Sequence, residues 1–132
     1  MRYLIDTQII IWAVSYPEKL SINVKTILES NIILVSPISL LEIAIKQKIG
    51  KLPEFDLPIE TLSYRLELDG FNLLALQTRH ISAYDSIPLF ADHRDPFDRI
   101  LLATCFNEDI PIISSDTRFK LYMPQLRVVM NA

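Results

Sequence analysis

Four acidic residues stand at positions where carboxylates could do chemistry: Asp6, Glu42, Asp98 and Asp116. Two of them follow short apolar runs, and the other two lie near the starts of segments with helical periodicity. Oxygen donors of this kind suit Mg²⁺ or Mn²⁺. The single cysteine and the two histidines, which are thirteen residues apart, match no common zinc pattern and are expected to be structural. The residue types therefore indicate a site for a hard divalent cation.

Asp98 is the most informative of these acids because it heads an apolar helix face. On an ideal helix it shares that face with Leu101, Leu102 and Cys105, a set that normally packs into a core. An unpaired buried carboxylate is unfavourable, so we expect a compensating group, for which a metal ion is one candidate. Asp95, directly before a proline, is typical of a helix N-cap and is predicted to be structural.

Helix capping is a structural alternative for each of the other acids. Asp6 could cap the helix that follows it, and Ser39 and Glu42 have the spacing of a capping box. Glu42 also forms a favourable i, i+4 pair with Lys46. Four such coincidences at one edge of a sheet are improbable, however, and four neighbouring carboxylates would repel one another without cations.

The elements that must position these acids alternate along the chain. Apolar runs predict strands at 3–5, 32–35, 71–76 and 110–113, with a last edge strand at 127–130. Helical spacing predicts helices at 9–14, 21–30, 38–49, 59–68, 78–85 (capped by Thr78) and 96–108. This alternation predicts an α/β fold, a three-layer α/β/α arrangement around a mostly parallel sheet of four to five strands. The acids then meet at the carboxyl edge of the sheet, where α/β proteins place their sites.

One helix carries a specific expectation about its buried face. In the helix at 38–49, an apolar arc is predicted to face the core, with Glu42 at its border; the arc consists of Ile38, Leu41, Ala44, Ile45 and Ile49.

Length and composition limit the class of protein. A chain of 132 residues with 50% hydrophobic residues is expected to form a single domain over 1–132. The net charge of −3 argues against a protein that coats DNA. A lone cysteine and the absence of a signal-peptide pattern or a long apolar run predict a cytoplasmic protein without a membrane segment.

Four segments resemble the PIN-domain ribonucleases, and within them the VapC-like toxins. They are YLIDT at 3–7, SLLEIAIK at 39–46 with GKL at 50–52, HRDPFDR at 93–99 and ISSD at 113–116. The segments occur in the family's order and span nearly the whole chain, and HRDPFDR is the most specific of them. Two departures stand out: Gln8 where relatives commonly carry His, and Leu41 where they commonly carry Trp.

The resemblance implies a catalytic and metal-binding quartet of Asp6, Glu42, Asp98 and Asp116. Further residues receive supporting or RNA-contacting roles. Thr7, Ser114 and Asp95 would support the site, and Lys46, Arg94, Arg99 and Arg118 could contact RNA phosphates. For Lys46 and Arg99, surface ion pairing is an equal alternative.

The implied activity is Mg²⁺- or Mn²⁺-dependent endonucleolytic cleavage of RNA, with one or two ions. The implied partners are a cognate antitoxin and a second copy of the chain in a homodimer, and the apolar segment Ile9–Val14 could supply either surface. Two alternatives belong to other classes. A phosphoryl-handling receiver or phosphatase fits poorly, because position 8 is Gln and no Asp-x-Asp is present. A non-catalytic binding module of the same fold, whose acids serve only as helix caps, remains open.

Overall fold

The computed structural model describes residues 1–132 as a five-stranded sheet with helices on both faces. The strands are β1 (Arg2–Ile5), β2 (Ile32–Val35), β3 (Asn72–Leu73), β4 (Ile112–Ser114) and β5 (Val128–Met130). The helices are α1 (Thr7–Ser15), α2 (Ile22–Ser30), α3 (Pro37–Lys48), α4 (Ile59–Leu68), α5 (Thr78–Ser82) and α6 (Pro96–Glu108). Three 3-10 helices cover Pro17–Lys19, Ala83–Ser86 and Thr117–Tyr122.

All strand pairs are parallel, and the spatial order is β3-β2-β1-β4-β5. Along the chain the sheet grows from β1 towards β3 and then continues on the other side of β1. The strand order therefore reverses between β1 and β4, where Ile5 is in register with Ile113. In open α/β sheets this switch point opens the crevice in which ligands bind.

Alternating side chains along the central strands build two cores. Ile5, Ile33 and Ile113 face a cluster that includes residues from α1, α2, α3 and α4. Leu4 and Ile112 face the opposite way, into a cluster built mainly with α6. Because successive strand residues point to opposite faces, this alternation produces the three layers. The predicted α/β/α architecture is confirmed.

Most predicted elements are found near their expected bounds, but the third strand is not. It was predicted over 71–76, whereas β3 contains only Asn72 and Leu73. This edge strand pairs on one side with β2, whose last residue is Val35, and the backbone N–H of Leu74 still donates to the Val35 carbonyl. Beyond that bond the neighbouring chain turns into α3, so no partner is left to extend the strand.

Two predicted helix caps are wrong, although the helices begin within one residue of their predicted starts. Ser36 caps α3, its hydroxyl accepting from the Ile38 N–H at 3.1 Å, and a proline opens the helix. Ser39 therefore lies inside α3, and the capping box proposed for Ser39 and Glu42 does not form. The helix predicted over 78–85 divides into α5 and a 3-10 turn, and its N-cap position is Gln77 rather than Thr78.

The predicted apolar arc of α3 is also wrong. The buried residues of this helix are Ser39, Glu42 and Ile43. Leu41, Ile45 and Ile49 are instead exposed, by 50%, 40% and 59%. Hydrophobic periodicity misplaced the face because the side of α3 that turns inward carries a carboxylate.

By contrast, most apolar residues of α1 are buried, which leaves only Trp12 and Ala13 partly exposed in the segment Ile9–Val14 that was suggested as a partner surface. Ile9, Ile10, Ile11 and Val14 all belong to the core. Cys105 is buried in the opposite core, as expected for a structural thiol. No helix combines the length and the hydropathy that crossing a bilayer requires.

Candidate metal centre

The switch point between β1 and β4 positions the first pair of carboxylates. Asp6 directly follows β1, and Asp116 lies two residues beyond the end of β4. Ser114, the last residue of β4, donates from its hydroxyl to Asp6 Oδ2 at 2.5 Å and accepts from the Asp116 N–H at 3.0 Å. One hydroxyl therefore ties the two acids to the central strands.

The other two carboxylates arrive on helices. Glu42 lies on the buried side of α3, and Asp98 lies in the first turn of α6. Thr7, the first residue of α1, donates from Oγ1 to Glu42 Oε1 at 2.7 Å. The two predicted supporting hydroxyls, Thr7 and Ser114, thus each contact a carboxylate of the quartet.

All four predicted acids line one pocket, a cavity of about 260 Å³. Its charged lining comprises five acidic side chains, the fifth being Asp95, and two basic ones, Lys46 and Arg118. The pocket therefore has an excess of negative charge at the carboxyl edge of the sheet. Like charges held this close favour either protonation or a bound cation.

Asp98 is held by His93, a histidine that was expected to be structural. His93 Nε2 lies 2.8 Å from Asp98 Oδ2, and His93 Nδ1 lies 2.8 Å from the Tyr122 hydroxyl. This arrangement fits an imidazole that donates to the carboxylate and accepts from the tyrosine. His93 is hydrogen-bonded and buried, as predicted, but its contact with the quartet was missed. The only available signal was its position in the loop just before Asp98.

Burial and the neighbouring charges shift the pKa values of the acids. Burial is the main cause that raises the pKa of Asp6 to about 7, and the charges of Asp98 and Asp116 add to it. Burial also raises the pKa of Asp98, with Asp95 and Glu42 contributing. A carboxyl group whose pKa is raised in the metal-free protein gains most from a cation that stabilises its charged form.

Asp116 behaves differently because a cation already faces it. Arg118 Nε and an Arg118 terminal nitrogen lie 3.1 and 2.7 Å from Asp116 Oδ1 and Oδ2. These bonds are the main reason that the pKa of Asp116 is lowered. Glu42 has a comparable contact, since Lys46 Nζ lies 2.8 Å from Glu42 Oε2.

The donor set fits a hard divalent ion. Possible ligand atoms of His93, Asp98 and Asp116 lie within 4.8 Å of one another. Both nitrogens of His93 are already hydrogen-bonded, which leaves carboxylate oxygens as the available ligands. Asp6 and Glu42 line the same pocket outside that tighter group. Oxygen donors with hydrogen-bonded outer partners are the arrangement that Mg²⁺ and Mn²⁺ sites use.

A family model described as the PIN domain matches residues 3–122. This chain belongs to the PIN domain family. The match includes every residue of the predicted quartet and four of the five strands.

Solved structures with the same PIN fold come from bacterial toxin–antitoxin complexes. A chain of DNA-bound VapBC from Salmonella typhimurium is 17% identical, with a TM-score of 0.68 and coverage of 100% of this chain and 99% of that one. VapBC2 from Rickettsia felis, bound to a promoter DNA fragment, is 17% identical, with a TM-score of 0.66 and 97% coverage of both chains. A toxin–antitoxin complex from Klebsiella pneumoniae is 21% identical, with a TM-score of 0.65 and 98% coverage of both. A search of curated proteins finds no match.

Within this PIN domain, capping and site formation are combined in the same side chains. Asp6 Oδ1 accepts from the Ile9 N–H at 3.0 Å, and Asp116 Oδ1 accepts from the Arg118 N–H at 2.9 Å. Asp95 caps α6 by accepting from two backbone N–H groups, as predicted. Capping does not account for Glu42, which lies in the middle of its helix and still points into the pocket.

The predicted RNA-contacting residues divide into three groups. Lys46 and Arg118 line the pocket, and Arg94 is exposed but lies outside the lining. Arg99 is only 3% exposed, so its predicted place at the surface is wrong. Its guanidinium donates to the carbonyls of Ile87 and Pro88 at 3.0 and 2.7 Å. It anchors the loop before α6 and is not available for a phosphate or a surface ion pair.

The two departures from the family pattern fall on different surfaces. Gln8 lines the acidic pocket, where its amide can form hydrogen bonds but carries no charge. Leu41 lies on the exposed side of α3, away from the pocket lining. Only the first of these substitutions changes the wall of the candidate metal centre.

Proposed function

We propose that this PIN domain is a metal-dependent endoribonuclease of the VapC toxin type. The observation that carries the proposal is the convergence of Asp6, Glu42, Asp98 and Asp116 on one pocket at the switch point of the sheet. Membership of the PIN family and a fold shared with toxin–antitoxin structures support it. The substrate would be single-stranded or structured RNA.

The quartet would hold Mg²⁺ or Mn²⁺. When bound, such an ion lowers the pKa of a water and stabilises negative charge on a leaving oxygen. Thr7 and Ser114 orient Glu42 and Asp6 through the hydrogen bonds described above, and Asp95 starts the helix that carries Asp98. No serine or cysteine nucleophile is needed for hydrolysis of this type.

The basic side chains would position the RNA backbone. Lys46 and Arg118 reach the pocket from different elements, α3 and the 3-10 turn after β4. Arg94, exposed before α6, would contact a phosphate further along the strand. Contacts of this kind fix the register of the substrate without reading its sequence.

Two protein partners complete the proposal. The first is a cognate antitoxin, which the shared fold with toxin–antitoxin complexes favours. The second is another copy of the chain in a homodimer. The exposed side chains of Leu41, Ile45 and Ile49 on α3 favour a protein contact on that face.

Cleavage of a labelled RNA by the wild type and by Asp98→Asn tests the activity. We expect the wild type to cleave the RNA when Mg²⁺ or Mn²⁺ is added. Asp98→Asn should cleave at least about 100-fold more slowly, because the variant lacks a carboxylate ligand. Asp69→Asn makes the same chemical change on α4, outside the pocket, and should cleave like the wild type. Equal cleavage by Asp98→Asn would refute the assignment.

A non-catalytic PIN-fold binding module is the second candidate, favoured by the real capping bonds of Asp6 and Asp116. The two candidates differ in their metal binding. If the protein is an endoribonuclease, it should bind Mn²⁺, and Glu42→Gln should weaken this binding. Glu42 suits the test because its carboxylate does not cap a helix. A binding module should show no uptake that depends on this carboxylate.

A further inference from the structure

A second pocket adjoins the acidic pocket along α1. The two pockets share the side chains of Gln8, Ile11 and Leu52 as a common wall. The second pocket is a cavity of about 250 Å³, and its far side is formed by Trp12 and Tyr16. A linear substrate that occupies one pocket can therefore continue into the other without leaving the surface of the protein.

The aromatic residues of this pocket are fixed in place. Trp12 lies in α1 and Tyr16 is the C-cap residue of that helix, and both side chains line the second pocket. Both rings pack partly against the core. The Tyr16 hydroxyl donates to the Glu54 carbonyl at 3.2 Å. Two held rings beside open space provide a surface on which a planar group can stack.

The charge of the second pocket is opposite in sign to that of its neighbour. Lys19 and Lys51 line it, against a single acid, Glu54. Lys19 Nζ lies 5.7 Å from the centre of the Trp12 ring and 5.5 Å from that of Tyr16. Aromatic faces combined with lysines are the features by which proteins hold single-stranded nucleic acid.

We propose that this second pocket is a subsite for the nucleotide next to the scissile phosphate, whose base stacks on Trp12 while Lys51 contacts its phosphate. This inference rests on the proposed ribonuclease function, since it assumes that the scissile phosphate lies at the acidic pocket. An RNA strand is favoured over a protein segment because the pocket pairs aromatic side chains with positive charge and adjoins the acidic pocket. The subsite adds base stacking to the phosphate contacts proposed for Lys46 and Arg118 in the acidic pocket.

The fluorescence of the wild-type protein tests the contact directly, because Trp12 is the only tryptophan of the chain. Hexauridylate and hexaadenylate are titrated with Ca²⁺ in place of Mg²⁺, and gel analysis verifies that the oligonucleotides stay intact. We expect saturable quenching that follows the binding measured by anisotropy of an end-labelled oligonucleotide. Binding seen by anisotropy without any change in Trp12 fluorescence would overturn the inference.

Steady-state cleavage of the labelled hexanucleotides with Mg²⁺ separates this subsite from the metal centre. Trp12→Ala should raise KM about five-fold or more, the loss expected for one stacked base, with kcat within about two-fold of the wild type. Trp12→Phe keeps an aromatic face and should recover most of the loss. Tyr64→Ala removes an exposed aromatic ring on α4 and is the matched control. Melting curves identify any variant that is not folded.

Lysine substitution gives a second, independent readout that leaves the core untouched. Lys51→Ala should weaken binding and reduce the slope of log Kd against log salt by about 0.7, as expected when one phosphate contact is lost from a single strand. Lys25→Ala, on α2 and outside both pockets, should leave the slope unchanged.

The outcomes distinguish failure of the subsite from failure of the proposed function. If the wild type cleaves RNA and Trp12→Ala does so with unchanged KM, only the subsite is refuted. If the wild type neither binds nor cleaves any RNA, the ribonuclease proposal fails and the subsite fails with it. If Trp12→Ala cleaves normally but escapes inhibition by a protein partner, the pocket belongs to that partner and the inference is wrong.

Discussion

The two ends of α6 each carry a histidine–carboxylate pair, and the pairs differ in their surroundings. At the start of the helix, His93 Nε2 lies 2.8 Å from Asp98 Oδ2. At its end, His80 Nε2 lies 2.6 Å from Glu108 Oε2. Both imidazole rings are buried, and both bring an earlier loop or helix against α6.

The surrounding charges differ between the two pairs. Glu108 has basic neighbours that balance its charge, whereas Asp98 has acidic neighbours. Glu108 is also contacted by Arg79 at 2.5 Å and Arg2 at 3.5 Å. Its pKa is lowered, mainly by the hydrogen bond with His80 and further by Arg79. Asp98 has acidic neighbours instead, and burial with those neighbours raises its pKa.

The comparison shows which carboxylate needs a partner from outside the chain. Glu108 is balanced by cationic side chains, so its cluster is complete as folded. Asp98 shares its pocket with four other acids and only two basic side chains. A carboxylate that remains electrostatically unbalanced within an otherwise well-packed fold is a candidate functional group.

The largest expected contrast between the two ends is in stabilisation by metal. A hundred-fold excess of Mn²⁺ over its Kd should stabilise the wild type by about 2.7 kcal/mol in urea unfolding. Asp98→Asn should lose most of this gain, whereas Glu108→Gln should keep it despite a lower baseline stability. Equal stabilisation of all three proteins by Mn²⁺ would place the metal somewhere other than the acidic pocket.

Exchanging the two histidines for alanine should separate activity from stability. His93→Ala frees Asp98 to turn away and should reduce Mn²⁺-dependent RNA cleavage roughly 10- to 100-fold, the usual cost of losing a partner of a metal ligand. His80→Ala should cleave like the wild type while unfolding more easily. Assays run well below the melting temperature of both variants make the comparison fair. An equal loss of RNA cleavage in His93→Ala and His80→Ala would mean that neither histidine acts through the metal centre.

The pH dependence of stability should have opposite signs for the acidic pocket, at the start of α6, and for Glu108, at the end of α6. The pKa of Asp6, beside Asp98 in the pocket, is raised to about 7, so the folded state binds this proton more tightly than the unfolded state. Stability therefore falls as pH rises from about 4 to about 7, by up to about 1.4 kcal/mol per unit. The pKa of Glu108 is lowered, so its contribution is present above its ordinary pKa and is lost as pH falls below it.

Urea unfolding of the metal-free protein between pH 3 and pH 8 checks both signs. Asp6→Asn keeps a capping side chain for α1 and should remove part of the loss of stability between pH 5 and pH 7, while Asp98, whose pKa is also raised, retains its own share. Glu108→Gln should remove part of the loss below pH 4 and leave the neutral range unchanged. Parallel curves for the wild type and Asp6→Asn between pH 5 and pH 7 would contradict the assignment of the raised pKa.

The features that the sequence predicted well depend on neighbours along the chain. The cap of α6 at Asp95, for example, accepts from backbone N–H groups two and three residues further along the chain. The convergence of the quartet also followed from a local rule, because residues after parallel strands meet at one edge of the sheet. The family resemblance then assigned these acids a common role.

The features that were missed depend on contacts between distant segments. Burial of Arg99 requires the carbonyls of Ile87 and Pro88, which reach α6 only when the preceding loop folds back over it. The inward face of α3 carries Glu42, which accepts a hydrogen bond from Thr7 across 35 positions of sequence. Helical periodicity contains no information about either contact.

Arg118 offers the smallest expected effect and the finest test of the comparison. Its exposed guanidinium pairs with Asp116 as Arg79 pairs with Glu108, but inside the acidic pocket. Arg118→Gln should raise the affinity for Mn²⁺ by no more than a few-fold, because an exposed pair contributes only about 0–1 kcal/mol. It should also raise the KM for RNA and reduce the salt slope of RNA binding by about 0.7, because one phosphate contact is lost. Arg79→Gln should change neither quantity, and an effect of equal size there would remove the distinction between the two ends of α6.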